Sequence, residues 1–344
     1  MRALALSKPE GINALGVMDL PNAPMPGPGE VRVRMKAAAL NRLDLFVVDG
    51  LPGTEPSWPF IVGSDGAGVV ESVGDGVVSV RPGDRVMFNP GISCGHCRFC
   101  QAGEESLCER FAILGEHRSG TAAELVTLPA VNLAPVPAGM SWAQAAAFPL
   151  STLTAWRMLA TRARLTPGET LFIWGAGGGV SHAAIQVGRY LGAEVIVAGS
   201  AAKLERAIGL GAHHVLDRGA DDVVGRVKEI TGRRGADVVL DSVGEATWPS
   251  TLRIVSRFGR IVVCGATTGP NLTLDARRLF WHQWTILGST MGNRREFDEI
   301  VKHAHAGRFW PVVDSIVPLE DSVEAYRRLA SGAHAGKLVI EVSS

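Results

Sequence analysis

Four cysteines at short spacings form the most specific chemical signal in this sequence. The run Cys94-Gly-His-Cys97-Arg-Phe-Cys100 is followed, after seven residues, by Cys108. Thiolates at such spacings bind Zn²⁺ in a closed tetrahedral site, and a site with four protein ligands leaves no position open for a substrate. We therefore predict one structural Zn²⁺ that fixes a loop too poor in apolar residues to hold itself. His96 is an alternative ligand, and a metal-free loop is the alternative to the whole site.

A second signal is a glycine-rich turn between a strand-like run and a helix-like run, in LFIWGAGGGVSHAAIQVGRYLGA (171–193). Small residues at such a turn let the backbone approach a pyrophosphate, whose charge the amino terminus of the helix stabilises. Aligned from the end of the helix, the fingerprint reads Ala176-x-Gly178-x-x-Ser181, with two of the three usual glycines replaced by other small residues. The predicted dinucleotide contacts are Gly178, Gly179, Val180 and Ser181. The alternative is a turn that only packs the helix against the sheet.

The end of the following strand bears on the choice between NAD and NADP. An acidic residue there normally binds the ribose diol of NAD. In this chain the stretch is Ala198-Gly199-Ser200, with no acid, while Lys203 follows it and Arg218 comes just after the third strand. Cations at such a site can bind the extra phosphate of NADP, and the absence of an acid removes the usual partner of NAD. The sequence therefore predicts that NADP(H) is preferred over NAD(H), with Ser200, Lys203 and Arg218 as the contact residues. The alternative is that both cations are solvated surface charges.

The bulk composition limits the possible partners. Thirty-four basic residues balance thirty-four acidic ones, which leaves no basic excess to favour nucleic acid. No stretch approaches the roughly 20 apolar residues that span a bilayer, and the first residues lack the apolar region and cleavage site of a signal peptide. We expect a small-molecule substrate, no nucleic-acid or membrane partner, and a cytoplasmic location. Cys264, in the apolar run IVVCG, is predicted to be a buried strand residue.

The order of predicted elements places these signals in a fold. The first 140 residues are β-rich, with an alternating strand in EVRVRMKAA, a pair of strand segments in VGSDGAGVVESVG, and then a helix capped by Ser141. Short apolar runs then alternate with helical patterns, which predicts a doubly wound parallel sheet. The six runs are TLFIW (170–174), EVIVA (194–198), HVL (214–216), DVVLD (237–241), RIVVCG (260–265) and TILG (285–288).

The pattern changes again after residue 290, with helices near 294–306 and 320–331 and a closing strand in KLVIEV. The second domain is therefore predicted to be built from both ends of the chain. The expected boundaries are 1–149 for the first domain with the cysteine lobe, 150–288 for the dinucleotide-binding domain, and 289–344 for the return to the first domain.

Taken together, these stretches resemble the medium-chain dehydrogenase/reductase superfamily over essentially the whole chain. The cysteine spacing is similar to that of the zinc alcohol dehydrogenases, whereas other stretches are more similar to the zinc-independent quinone reductase branch. Those stretches are AALNRLDLF, AAAFPLSTLTAW, DSVGEATWPSTL and RFGRIVVCGATTG. The resemblance implies an α/β fold in which a Rossmann doubly wound parallel sheet is inserted into a GroES-like β-rich domain.

The resemblance fails at the catalytic zinc. The zinc alcohol dehydrogenases hold that metal with a Cys, a His and a second Cys, which align with Asn41, Ser64 and Leu150 (or its neighbour Ser151). The hydroxyl that passes the alcohol proton in that family aligns with Leu43. The sequence therefore predicts structural zinc only.

The resemblance also implies positions for other residues. Asn41 and Thr154 are expected near the nicotinamide ring, and Ser242, Val243 and Gly265 along the bound cofactor. Asn41, Ser64 and Asp44 are the candidate catalytic residues, with Asp44, Ser64 and Asp65 able to donate or relay a proton. The alternatives are that Asn41 only caps a turn, that Thr154 only packs in a helix, and that the acidic residues have a structural role.

From this resemblance we expect an NADPH-dependent oxidoreductase that transfers hydride to a quinone or an α,β-unsaturated carbonyl. The first alternative is an NAD(P)-dependent alcohol dehydrogenase that works without catalytic zinc or recruits a metal through Asp44 and Asp65. The second is a non-catalytic NADPH-binding protein. The family pattern suggests a homodimer or homotetramer that pairs partly through the segment TILGST.

Overall fold

The computed structural model of the protein describes residues 1–50 and 57–343. Within these ranges the strands are β1 Arg2–Leu6, β2 Leu15–Asp19, β3 Glu30–Ala39, β4 Phe60–Ile61, β5 Asp65–Val73, β6 Arg85–Phe88, β7 Gly91–Ile92, β8 Ala112–Ile113, β9 Leu125–Pro129, β10 Leu133–Pro135, β11 Thr170–Trp174, β12 Glu194–Gly199, β13 His214–Asp217, β14 Ala236–Asp241, β15 Val255–Val263, β16 Thr285–Gly288, β17 Val313–Pro318 and β18 Lys337–Glu341. The helices are α1 Arg42–Asp49, α2 Arg98–Gln101, α3 Trp142–Ala147, α4 Pro149–Trp156, α5 Gly179–Tyr190, α6 Ala201–Gly209, α7 Val223–Ile230, α8 Trp248–Ile254, α9 Ala276–His282, α10 Arg294–His305 and α11 Ser322–Ser331.

The chain divides into two compact units. The larger unit comprises 1–151 and 292–344, and the smaller unit comprises 152–291. The sequence places the same two borders at 149/150 and 288/289, within three residues of these positions. None of the helices in the described part of the chain is long and apolar enough to cross a membrane.

The larger unit is built around a seven-stranded sheet with the order β10-β6-β5-β3-β18-β17, in which β9 also pairs with β3. A second sheet has the order β2-β1-β4. The alternation in β3 buries Val31, Val33 and Met35 on one side, as a half-buried strand requires. The same core contains Tyr326 and Ile340 from the far end of the chain, so both ends build one core.

Two predictions about this unit had different outcomes. Ser141 caps α3 as predicted, because its Oγ accepts the backbone N–H of Gln144 while Gln144 Oε1 accepts the N–H of Ser141. The prediction of two strand segments in VGSDGAGVVESVG was wrong, since β5 is one continuous strand. Its pairing with β3 is irregular at two places, and these irregularities absorb the glycine-rich stretch without breaking the strand.

The smaller unit contains six parallel strands in the order β13-β12-β11-β14-β15-β16. This is the strand order of the Rossmann fold, with β11 and β14 side by side where the winding direction reverses. The central strands are buried on both faces, for example Phe172 on β11 and Val239 on β14, which explains their continuous apolar runs. The carboxyl ends of all six strands lie at the same edge, where the glycine turn follows β11.

All six predicted runs form strands of this sheet, but β15 differs from its predicted bounds. It begins at Val255 instead of residue 260 and ends at Val263. Cys264 therefore lies just beyond the strand and is only partly buried, so the prediction of a buried strand residue was wrong. Its backbone N–H still donates to the carbonyl of Asp241 at the end of the neighbouring strand β14.

Candidate functional site

The carboxylate of Asp65 is the centre of a buried polar cluster in the larger unit. Asp65 is the first residue of β5 and is completely buried. Its Oδ1 accepts the backbone N–H of Leu150 at 2.9 Å, and its Oδ2 accepts the side-chain amide of Asn41 at 2.9 Å. Asn41 and Leu150, two of the positions aligned with catalytic zinc ligands, therefore lie together beside Ser64.

A lysine from the far end of the chain supplies the positive charge of this cluster. Lys337, the first residue of β18, donates from Nζ to Oδ2 of Asp65 at 3.0 Å and to Oδ1 of Asn41 at 2.5 Å. Both charged side chains are buried, with exposures of 4% and 0%. Such a pair persists only when further hydrogen bonds satisfy it, and Asn41 and Leu150 provide them. Asn41 is thus a bridging residue, not only the cap of a turn.

Asp44 lies one helical turn after Asn41, in the first turn of α1. Its Oδ2 accepts the backbone N–H of Asn41 at 2.6 Å, whereas Oδ1 has no hydrogen-bond partner among the described residues. Burial raises the pKa of Asp44 to about 7, although the Asn41 N–H and the charge of Lys337 act in the opposite direction. Burial, with the Asp44 charge as a smaller cause, also raises the pKa of Tyr326. Asp44 is therefore a buried carboxyl group that changes protonation near neutral pH.

Ser64 is held in place by the unusual backbone before it. Gly63 has φ +95°, and a Cβ there would lie 2.9 Å from Oγ1 of Thr121, so only glycine fits. Thr121 Oγ1 donates to the carbonyl of Asp65 at 2.7 Å, which fixes the other side. The Ser64 hydroxyl is fully buried and has no hydrogen-bond partner in 1–50 or 57–343.

These residues do not fit a catalytic zinc ion. Zinc in proteins is bound by thiolate, imidazole or carboxylate, whereas the aligned positions Asn41, Ser64 and Leu150 offer an amide, a hydroxyl and an aliphatic chain. The Asp65 carboxylate already accepts three hydrogen bonds. Among the described residues, the only group of three or more candidate ligands with atoms within 4.8 Å of one another is the cysteine cluster.

The cysteine cluster does fit a zinc ion. The short strands β7 and β8 pair with each other and close the loop that carries Cys94, Cys97, Cys100 and Cys108. Sγ of Cys100 lies 3.9 Å from that of Cys94 and 3.6 Å from that of Cys97. A tetrahedral site with Zn–S bonds of about 2.3 Å requires S···S edges of about 3.8 Å. The four residues predicted from their spacing therefore converge as one closed site.

Backbone N–H groups donate hydrogen bonds to the sulfurs of this cluster, which stabilises the thiolate form that binds a metal. Cys94 N–H and Arg110 N–H each donate to Sγ of Cys108 at 3.3 Å. Hydrogen bonds from the backbone of Cys100 and Glu109 lower the pKa of Cys97 to about 6. Burial raises the pKa of Cys100 to about 11, so this thiol needs the metal charge to ionise. The His96 ring nitrogen lies 3.4 Å from Sγ of Cys94, outside the set of four sulfurs.

The glycine turn of the smaller unit fits a dinucleotide. Gly175 has φ +91° directly after β11, and Gly178 precedes α5, which begins at Gly179. A Cβ at Gly178 would meet nothing within 4 Å, so space is open beside the backbone at the amino end of a twelve-residue helix. Such a turn places N–H groups where a pyrophosphate binds. Ser181 is buried and donates from Oγ to the carbonyl of Trp174 at 3.5 Å, which indicates helix packing for this residue.

The end of β12 explains the missing acid. A Cβ at Gly199 would lie 2.4 Å from the Cβ of Ala176, so no acidic side chain fits at that position. Ser200 follows as the residue before α6, and Lys203 lies in the first turn of that helix. Arg218 is exposed and is anchored here, because its backbone N–H donates to the carbonyl of Gly199 at 2.9 Å. The structure therefore brings Ser200 and Arg218 to one edge of the sheet.

The predicted residues Ser242, Val243 and Gly265 also lie together, at the carboxyl ends of β14 and β15. A Cβ at Gly265 would be 3.0 Å from the carbonyl oxygen of Ser242. Thr154, the remaining predicted cofactor residue, is buried on α4.

Sequence reasoning missed two residues that organise these sites. Lys337 heads a predicted strand, and a lysine at the start of an apolar run was the only signal for its burial. Asp241 ends β14 and is completely buried. Its carboxylate accepts hydrogen bonds from the backbone N–H groups of Val243 and Gly244 and from the hydroxyls of Thr247 and Thr251. It therefore shapes the turn that carries Ser242 and Val243.

A GroES-like unit with a cysteine-held loop and a Rossmann unit with a pyrophosphate turn define a nicotinamide-dependent oxidoreductase. Residues 27–138 match the alcohol dehydrogenase GroES-like domain, and residues 179–306 match the zinc-binding dehydrogenase family. The NAD-dependent alcohol dehydrogenase of Sulfolobus acidocaldarius is 30% identical over 100% of both chains. The quinone oxidoreductase of Mus musculus is 27% identical, covering 99% of this chain and 97% of that protein. The chain belongs to the medium-chain dehydrogenase/reductase superfamily.

Solved structures give the same family. An NAD-dependent alcohol dehydrogenase has a TM-score of 0.95 at 43% identity, with 100% of both chains covered. A variant of a crotonyl-CoA carboxylase/reductase in complex with NADP has a TM-score of 0.91 at 25% identity, covering 99% of this chain and 95% of that chain. The protein is therefore an NAD(P)-dependent oxidoreductase with a Rossmann domain inserted in a GroES-like domain.

Proposed function

We propose that this protein uses NADPH to reduce a quinone or an α,β-unsaturated carbonyl without a catalytic zinc ion. The observation that carries the proposal is the set of side chains around Asp65. The amide of Asn41, the hydroxyl of Ser64 and the aliphatic chain of Leu150 occupy the positions that align with the metal ligands of the zinc alcohol dehydrogenases, and the Asp65 carboxylate accepts a hydrogen bond from Lys337.

The chemistry of the acceptor follows from this set. A bound zinc ion lowers the pKa of a coordinated hydroxyl by roughly 8 units, which is on the order of 10 kcal/mol of help in forming an alkoxide. Without that help, removing hydride from a simple alcohol at neutral pH is difficult. A quinone or enone delocalises the negative charge itself, so the protein needs no metal but must orient the two reactants, exclude water and supply a proton.

The reduction needs one proton for each hydride. Bound NADPH supplies the hydride, and the acceptor takes up a proton to give the hydroquinone or the saturated carbonyl. Asp44 is a buried carboxyl group beside Asn41 that holds a proton near neutral pH because its pKa is about 7, and the buried hydroxyl of Ser64 can relay a proton. We assign the proton supply to this group of residues and the positioning of Asp44 and Asp65 to Asn41.

Preference for NADPH is supported by the end of β12. No acidic side chain fits at Gly199, and the backbone N–H of Arg218 donates to the carbonyl of that residue. The exposed guanidinium of Arg218 is therefore available to bind a 2′-phosphate. The crotonyl-CoA carboxylase/reductase relative binds NADP in its complex. The Sulfolobus relative is NAD-dependent by name, so the preference rests on this chain's own residues.

The second candidate is an NAD-dependent alcohol dehydrogenase, favoured by the names of the Sulfolobus relative and of the structure at 43% identity. Both candidates are consistent with a homodimer or homotetramer formed through β16, because β16 is an edge strand of the parallel sheet and Ile286 on it is exposed.

One assay separates the two candidates. The purified protein is given NADPH with p-benzoquinone or an enone, and separately NAD⁺ with a primary alcohol, and its zinc is measured. We expect quinone or enone turnover with one zinc per chain and no activation by added Zn²⁺. Turnover of the alcohol with NAD⁺, together with no reduction of quinones or enones, would show that the alternative is correct.

A further inference from the structure

A cavity of about 520 Å³ lies in the smaller unit, away from the glycine turn. It is lined by Gly235, which precedes β14, by Val255 and Ser256 at the start of β15, and by Trp284, which precedes β16. It therefore lies at the amino ends of these strands, whereas the dinucleotide turn lies at the carboxyl ends. At about 3.3 Å per residue, the six residues of β14 separate the two edges by about 20 Å.

The lining of this cavity is strongly basic. Six of its residues are lysine or arginine, His282 adds a seventh basic side chain, and Asp237 is the only acidic one. Oδ2 of Asp237 already accepts the backbone N–H of Thr170 at 2.8 Å, and Oδ1 lies 3.8 Å from Arg234. One carboxylate cannot neutralise the other five lysine and arginine side chains of the cavity. The six cations are Lys228, Arg233, Arg234, Arg253, Arg257 and Arg278.

Most of these cations are unpaired in the protein itself. Within residues 1–50 and 57–343, the side chains of Lys228, Arg253 and Arg257 form neither an ion pair nor a hydrogen bond, and the same holds for Arg233. They come from α7 and the turn after it, from the end of α8 and from β15, so separate elements direct like charges toward one space. Like charges gathered in this way repel, and an anion bound between them relieves the repulsion.

One side of the cavity is rigid. Trp284 is buried, and its Nε1 donates to the carbonyl of Ser256 at 2.8 Å. Arg278 lies over the Trp284 ring with its guanidinium carbon 5.2 Å from the centroid, and it donates to the carbonyl of Leu252 at 2.8 Å. The His282 ring stacks on Trp284 with centroids 4.9 Å apart. Arg278 is thus held in place before any ligand arrives, which lowers the cost of binding.

We propose that this cavity binds a multiply phosphorylated small molecule of nucleotide size. Five of its six cations are arginines, whose planar guanidinium groups donate paired hydrogen bonds to phosphate oxygens. Its volume falls in the range of about 300 to 1,000 Å³ that is usual for small-molecule pockets. The whole chain has no excess of basic residues, which disfavours a nucleic acid as the ligand.

The test measures binding of tripolyphosphate and of ATP by calorimetry, with the cofactor site first saturated by NADPH or NADH. The triple variant Lys228→Gln, Arg253→Gln, Arg257→Gln removes three unpaired cations of the cavity. The control, Arg206→Gln, Arg226→Gln, Arg277→Gln, removes the same amount of positive charge from the same unit at positions that do not line the cavity, two of which pair with Glu229 and Asp275. We expect the cavity variant to weaken binding by about ten-fold or more and the control by less than about two-fold.

Several results would overturn the proposal. They are the absence of binding to the cofactor-saturated protein at millimolar probe, equal losses in the two triple variants, and competition with NADPH, which would assign the probe to the dinucleotide turn. Binding of duplex DNA or of phosphatidylserine vesicles, lost in the cavity variant while tripolyphosphate does not bind, would assign the charge to a macromolecule. If the triple variant does not fold, judged by its circular dichroism, the pair Arg253→Gln, Arg257→Gln replaces it.

Discussion

Nζ of Lys337 lies 3.0 Å from Oδ2 of Asp65, and the two side chains are 4% and 0% exposed. Removing one member of such a pair leaves the other charge buried and unpaired. We expect Lys337→Met to lower the free energy of unfolding by about 3 to 5 kcal/mol, measured by urea denaturation. Lys302→Met, which breaks an exposed pair with Glu299, should cost less than about 1 kcal/mol.

The double variant Lys337→Met, Asp65→Asn distinguishes a charge effect from a packing effect. It leaves no unpaired buried charge, so it should be more stable than Lys337→Met alone. If the double variant is as unstable as the sum of its single changes, the ion pair is not the cause.

The cysteine cluster predicts a selective loss of metal. Cys108→Ser removes the buried sulfur that accepts two backbone N–H groups, so the site becomes open and weak. We expect zinc, measured by mass spectrometry, to fall from about one ion per chain to nearly none, and Tm to fall by about 5 °C. Cys264→Ser should keep its zinc, because Cys264 lies in the other unit. A zinc content that is unchanged in Cys108→Ser would refute the assignment.

Asp44 predicts a pH-dependent difference in stability. Its pKa is about 7 in the folded protein against an ordinary 3.8, so between these values the folded state holds a proton that the unfolded state has lost. The contribution of Asp44 to stability therefore falls as pH rises from about 4 to about 7. Asparagine cannot ionise, so the stability of Asp44→Asn lacks this pH dependence. As pH rises from about 5 to about 8, the free energy of unfolding of Asp44→Asn should therefore increase by about 2 to 3 kcal/mol relative to that of the unchanged protein.

The measurement for Asp44 is the difference in unfolding free energy between variant and unchanged protein across that pH range. Asp49→Asn, which removes an exposed aspartate at the end of the same helix, is the control for the loss of a carboxylate from this helix. A constant difference for Asp44→Asn at all pH values would mean that the carboxyl group is already ionised at the lowest pH.

Substitution of Arg218 should weaken the binding of NADPH and leave the binding of NADH nearly unchanged. If its guanidinium binds the 2′-phosphate, Arg218→Ala should raise KM for NADPH by about ten-fold and change KM for NADH by less than about two-fold. Arg206→Ala, an exposed cation on α6, is the control. Equal changes for the two cofactors would show that Arg218 is only a surface charge.

The sequence predicts the elements and topology of the smaller unit well, because each buried parallel strand is a short apolar run and each helix has its own period. It predicts the cysteine site for a similar reason, since all four ligands lie within fifteen residues. Both signals are local in the chain. The start of β15 at Val255 was missed, because its first residues, VSRFG, contain no continuous apolar run.

The cluster around Asp65 could not be predicted in the same way. Asn41 and Ser64 were found by resemblance, but their partner Lys337 is 296 residues from Asn41, and no local pattern links the two. The basic cavity has the same origin, because its cations come from segments that only the sheet brings together. Long-range pairing of this kind is a property of the strand order, which a single sequence shows only coarsely.

The position of β18 in its sheet bears on how the protein is made. This strand lies between β3 and β17 and pairs with Ala37, Ala38 and Ala39, so this part of the β3 edge has no partner until β18 has been synthesised. By that time the whole of 152–291 has emerged and can fold as a domain. The amino-terminal segment, although synthesised first, is therefore the last part to be completed, and nascent chains that stall before β18 expose an apolar strand edge that favours aggregation.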